Sequence, residues 1–204
     1  NRMGVFGSAP TSNLIELVCD FLGRDPMEIS LRVLALVFYG AAMVLYVALE
    51  KKTSWNLEYT AIAIDLAVAA VMGLIPSEVN PFVALYPVFF ATAFQWCAFT
   101  GAKGYVSATI FSTNNLKQTV TSFADYLLSG KEEAGREKKL EKALFYGGTL
   151  LYFHVGVAAG YGASLLWGTR SIWLCALPLL GTAALIGTSR RVPAAETAAA
   201  GAGR

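Results

Sequence analysis

The chain has 204 residues, 55% of them hydrophobic and only 15% charged, with a net charge of +2. A soluble domain of this length carries about 25% charge, so an ordinary water-soluble globule is excluded, and so small a net charge gives no case for nucleic acid. The charges gather in short zones and leave apolar runs between them; runs of about twenty residues match a bilayer core of about 30 Å at about 1.5 Å per helical residue.

The fold class read from this pattern is all-α, a polytopic transmembrane helical bundle. Residues 9–21, APTSNLIELVCDF, open on small polar residues and continue with Leu14, Leu17, Val18 and Phe21 on one helical stripe. Such a helix is too polar to span and lies at the interface or against the spans. Spans are expected at about 29–49, at about 55–75 (interrupted by Asp65), and at 81–102, where there is no charge. Residues 111–123, FSTNNLKQTVTSF, then repeat the opening layout, with Leu116, Val120, Phe123 and Leu127 as the apolar stripe. The mixed-sign run GKEEAGREKKLEK reads as a solvated helix whose basic part meets anionic headgroups. It leads into a fourth span at 143–169, which holds the only histidine, His154, and a fifth at 171–189, which holds Pro178. Residues 190–204 are rich in alanine and glycine and read as a flexible tail.

The two amphipathic stretches superpose. Thr11, Asn13, Leu14, Val18 and Phe21 fall on Thr113, Asn115, Leu116, Val120 and Phe123 at an offset of 102, and Phe38-Tyr39-Gly40 falls on Phe145-Tyr146-Gly147 at an offset of 107. Shared anchors in the same order predict a duplication, with a first unit at 1–76 and a second at 77–189. In the second unit a full span precedes the polar motif. The first unit is therefore expected to have one ahead of Asn1, which makes the five visible spans part of six, three per unit. Three is odd, and only SEVN joins the units, so the second unit is expected upside down relative to the first, as in inverted-repeat transporters. Basic residues test the orientation. One side carries Arg2, Arg24, Arg32 and Arg170; the other carries the remaining twelve, among them Lys51, Lys52, Arg190 and Arg191. The richer side is expected in the cytoplasm, together with the C-terminus.

The stretches NRMGVFGSAPTSNLIEL and FQWCAFTGAKGYVSATIFSTNNLKQ, followed by FYGG, resemble the YoaK-like family of bacterial integral membrane proteins, a family named for a domain of unknown function. The resemblance runs from Asn1 to about Gly187 and implies a bacterial inner-membrane protein of about six spans. It carries no substrate and no catalytic residue with it.

Site candidates come from polar residues in apolar surroundings. Thr11, Ser12 and Asn13, and Ser112, Thr113, Asn114 and Asn115, supply N-caps, with a surplus that fits a wet cavity at two helix N-termini. These residues and Gln95 are the candidate substrate contacts; helix–helix hydrogen bonding is the alternative for Gln95. Asp65 near mid-span and His154 are the candidate ion-coupling residues. Gly156, Gly160 and Ser164 form a small-residue ladder for helix packing or a homodimer. Cys19, Cys97 and Cys175 are expected to be packed apolar thiols. No metal-ligand spacing, phosphate loop or nucleophile–base set is present, so neither an enzyme nor a cofactor is expected. The expected function is a small secondary transporter or permease for a solute or ion, in contact with membrane lipids. The alternative is a non-transporting scaffold or regulatory subunit.

Overall fold

The computed structural model describes residues 10–23, 26–76, 78–130 and 132–189. The expected tail at 190–204, residues 1–9 ahead of and at the start of the first motif, and the basic residues Arg2, Arg24, Lys131, Arg190, Arg191 and Arg204 lie outside the described residues. The described chain is helical almost throughout. Helices α1 (Pro10–Gly23), α2 (Pro26–Lys52), α3 (Leu57–Met72) and α4 (Pro81–Ala98) are followed by a two-residue hairpin, β1 (Gly101–Ala102) and β2 (Tyr105–Val106). Then come α5 (Thr113–Leu128), α6 (Arg136–Trp167), a 3-10 helix (Gly168–Cys175) and α7 (Ala176–Ser189).

Local chemistry sets these ends. Asn56 caps α3, its Oδ1 accepting from the backbone N–H of Glu58 and Tyr59 at 3.0 and 3.1 Å. Asn80 caps α4 through Phe82 N–H, with Pro81 placed where its missing donor costs nothing. The hairpin turns on Lys103 and Gly104, both at positive φ, the pairing that a tight two-residue turn demands. It was not foreseen in the sequence, where the third span ran on to Ala102; the helix stops at Ala98 instead.

Among the described residues, three stretches are long and apolar enough to cross a membrane: Pro26–Lys52, Pro81–Ala98 and Arg136–Ser189. The last is one helical run covering both the fourth and fifth expected spans. At 16 residues α3 is not among them, falling just under the usual lower limit of about 17 residues for a crossing. The charged run ahead of α6 is also less helical than expected, because α6 starts at Arg136 after Gly135 at φ +89°.

The core lies between α2, α3 and α4. Ala35 and Ala42 on α2 are small enough to admit Phe82, Leu85, Phe89 and Phe94 of α4, all buried. Tyr86 stacks on Phe38 and donates to Leu31 O at 3.2 Å, fastening α4 to α2. Helix α1 packs on α2, and α5 packs on α6. The 3-10 helix and α7 return to α3. The Trp173 indole donates to Ala70 O at 3.3 Å, and the Tyr59 hydroxyl donates to Ala183 O at 3.1 Å. Much of α6 faces outward. A Cβ added at Gly156 or Gly160 would meet nothing within 4 Å, so the small-residue ladder packs against no described residue. Cys19 and Cys175 are exposed rather than packed inside, since the apolar surface of a membrane helix faces lipid; Cys97 is half-buried.

Candidate functional site

Each half joins its amphipathic helix to the following long helix through one basic residue. In the first half this is Arg32, early in α2. Its Nη1 forms an ion pair with Glu16 Oε2 at 2.5 Å, and its Nε donates to Asp20 Oδ2, both acids lying on α1. The Arg32 guanidinium also lies over the Phe82 ring, 4.7 Å from the centroid, and its side chain is only 11% exposed. In the second half it is Lys139, early in α6. Its Nζ donates to Glu133 Oε1 at 2.7 Å, Ser129 Oγ at 2.8 Å and Asp125 Oδ1 at 3.0 Å. Beside it the Arg136 guanidinium covers the Tyr126 ring at 3.9 Å. Arg32 and Lys139 stand 107 positions apart, the offset that superposes the Phe-Tyr-Gly motifs. The sequence reading placed Arg32 in the count of basic residues and Glu133 and Lys139 in the solvated charged run, but paired none of them across helices. The available signal was a lone arginine inside an apolar run, at the same distance ahead of Phe-Tyr-Gly as Lys139.

The paired tyrosines, Tyr39 and Tyr146, are both buried. The Tyr146 hydroxyl donates to Val106 O of the hairpin at 2.8 Å. The Tyr39 hydroxyl has no hydrogen-bond partner among the described residues. It borders a cavity of about 20 Å³ between α1, α2 and α4, also lined by Asn13, Leu17, Arg32 and Phe89. That is room for about one water molecule.

The two polar motifs are built differently. Asn115 is 1% exposed and its amide is fully engaged. Its Oδ1 accepts from Ser107 Oγ at 2.9 Å, and its Nδ2 donates to Ala108 O at 2.9 Å and to Phe111 O at 3.0 Å. It therefore staples the segment after the hairpin onto the first turn of α5. Ser112 occupies the N-cap position of α5 but makes no side-chain capping bond, so the capping expected from STNNL is absent there. Thr113 and Asn114 are exposed. In α1, Thr11 and Ser12 are exposed and Asn13 is half-buried at the cavity. Gln95 is half-buried on α4.

Asp65 sits midway along α3, half-buried, with Oδ2 buried and unpartnered among the described residues. His154 is exposed on α6, its Nδ1 2.8 Å from Leu150 O. Because α3 packs on α4, the 3-10 helix and α7, the structure does not bring Asp65 and His154 together. Among the described residues no cluster of His, Cys, Asp or Glu could hold a metal ion. The Lys139 group is solvent-facing, and hydrogen bonding to Lys139 holds the Glu133 carboxyl below its ordinary value, while Glu133 and Asp125 hold the Lys139 ammonium above its own.

The model of one protein family, described as a protein of unknown function (DUF1275), matches residues 1–185. No curated protein and no solved structure matches the chain.

Proposed function

The chain belongs to the DUF1275 family, which includes the YoaK-like membrane proteins of unknown function, and we propose that it is a small permease for a solute or ion, built from two inverted three-helix units. The observation that carries this reading is the Asp65 carboxyl, with one oxygen buried and unpartnered in the middle of an apolar helix. Charging a carboxyl at such a depth costs about 2.5–3.5 kcal/mol on insertion scales. A group of this kind binds a proton or cation when closed off and releases it when wetted, which is the chemistry of coupled transport.

The repeat supports the geometry. Arg32 and Lys139 occupy equivalent positions and each holds an amphipathic helix to the next long helix. In this reading the first turns of α1 (Thr11, Ser12, Asn13) and α5 (Ser112, Thr113, Asn114) border the solute path from opposite sides, with Gln95 between them. Asn115 positions the α5 turn rather than touching solute, since its amide is engaged. The cavity at Asn13 and Tyr39 has room for about one water and none for a solute, so in this reading passage requires α1 to lift from α2. Coupling rests on Asp65; His154, exposed and bonded to its own helix, has no assigned part. The asymmetry of basic residues favours a cytoplasmic C-terminus in a bacterial inner membrane. No catalytic step belongs to this reading.

One observation favours a second reading. The open glycines of α6 fit a scaffold that receives a partner helix or a second copy of the chain. Proteoliposomes loaded with a pH-reporting dye separate the two. The permease is expected to acidify the lumen when a solute gradient is imposed, and Asp65→Asn to abolish that signal. Wild-type flux in Asp65→Asn, or no flux and no thermal stabilisation by any solute, would leave the scaffold reading standing alone.

A further inference from the structure

We propose that the corner between α6 and the 3-10 helix is a phospholipid site, with the lipid phosphate on Arg170 and the glycerol and upper acyl chains between Trp167 and Trp173. The proposal does not depend on the permease reading.

The depth follows from α6 itself. From Ala143 to Trp167 the helix carries no charged side chain, and at about 1.5 Å per residue that stretch covers about 37 Å, enough to cross a bilayer core of about 30 Å. With Lys139 and Lys142 at one headgroup layer, Trp167 and Arg170 reach the other. Tryptophan favours that layer because its ring is amphipathic.

The shape follows from the turn. Gly168, at φ +56°, ends α6, and the next turns are 3-10. With three residues per turn, side chains at i and i+3 line up, so Arg170 and Trp173 share one side of the 3-10 helix, and Trp167, just before the Gly168 turn, lines the same groove. Trp167 is 57% exposed and Trp173 44% exposed. Trp173 is a fixed wall, held by its bond to Ala70 O and seated against Gly73. These residues, with Leu166 and Leu174, line an open groove of about 810 Å³, a volume suited to a headgroup and the start of a chain.

The charge selects the occupant. Arg170 is the only charged residue between Lys142 and Arg190, and among the described residues it makes no ion pair. A guanidinium in an aromatic groove at headgroup depth is complementary to a phosphodiester, which it can grip through two parallel N–H donors. Leu166 and Leu174 offer apolar surface for the chain below.

Native mass spectrometry of the protein released from detergent micelles tests the site with phosphatidylglycerol, diacylglycerol and inorganic phosphate as probes. Phosphatidylglycerol is expected to remain bound to the wild type and to Lys142→Gln, and to fall about tenfold in Arg170→Gln, the loss of one charge-assisted contact. Arg170→Lys is expected to fall between them, since it keeps the charge and loses the fork. Equal retention in Arg170→Gln overturns the proposal. So does diacylglycerol binding as well as phosphatidylglycerol, which would make the groove merely apolar, or inorganic phosphate displacing the lipid, which would make it a free-anion site. Should Arg170→Gln aggregate, a photoactivatable phospholipid on the wild-type protein decides: labelling is expected within residues 166–174, and labelling elsewhere overturns the proposal.

Discussion

Gly73→Ala isolates the joint between the two halves. Gly73 has ordinary right-handed helical geometry, φ −70° and ψ −12°, so alanine is tolerated by the backbone. Taken alone it would stabilise by about 0.4–1 kcal/mol, by restricting the unfolded chain. The tertiary contact reverses that sign. A Cβ at residue 73 would lie 2.1 Å from Trp173 Nε1 and 2.4 Å from Cε2, far inside van der Waals contact. The indole must swing outward, which its partial exposure permits, and its bond to Ala70 O is lost. A lost hydrogen bond costs about 1 kcal/mol and forced repacking about 1–3 kcal/mol, so the net expectation is a loss of about 1–3 kcal/mol. The assay is thermal unfolding in detergent, followed by emission from a chain in which Trp173 is the only tryptophan. Gly73→Ala should lower the midpoint and shift Trp173 emission to the red. In a Trp173→Ala background, where unfolding is followed by loss of helical circular dichroism instead, the same change should be neutral or stabilising. An unchanged midpoint and spectrum in Gly73→Ala, or an equal loss in both backgrounds, would refute the reasoning.

Three further outcomes are expected. Asn115→Ala leaves Ser107 Oγ and two carbonyls without their partner; it should destabilise by about 2–3 kcal/mol and expose residues 107–111 to hydrogen exchange, whereas Asn114→Ala, at an exposed position, should do neither. Arg32→Met leaves Asp20 and the half-exposed Glu16 without their cation and should cost about 1–2 kcal/mol, while the triple variant with Glu16→Gln and Asp20→Asn should recover most of that loss; unfolding midpoints of the two variants check it. The α5–α6 joint should depend on pH at both ends. Glu133 is held low, so its contribution is full above the ordinary glutamate value and is lost as pH falls through the lowered one. Lys139 is held high, so its contribution is full below the ordinary lysine value and is lost as pH rises through the raised one. Exchange of the amides at 129–139 should therefore be slowest, relative to free-peptide rates, between about pH 5 and 10, and flat in Lys139→Met.

Much of the architecture was legible because membrane helices announce themselves locally. The apolar runs that become α2, α4 and α6, and the two amphipathic stripes that become α1 and α5, follow from periodicity alone. The matching Asn-Leu and Phe-Tyr-Gly anchors were equally visible, since they are a property of the sequence itself. The hairpin at 101–106 was missed because two-residue strands leave no periodic signal; only the Lys103-Gly104 turn hinted at it. The candidate site was less legible. Asn13 and Asn115 look identical in the sequence, yet one borders a cavity and the other is locked to three backbone and side-chain partners.

From the sequence alone came the solvent this chain is built for and the order of its helices, because burial in lipid and helix periodicity are written in the side chains of each segment by itself. The tertiary structure alone decided which charges meet. Glu16 and Asp20 on α1 reach Arg32 on α2, and Trp173 sits on Gly73 from a hundred residues away. Those pairings depend on how helices rotate against each other, a quantity set by shape complementarity at the interfaces and carried by neither partner's local sequence.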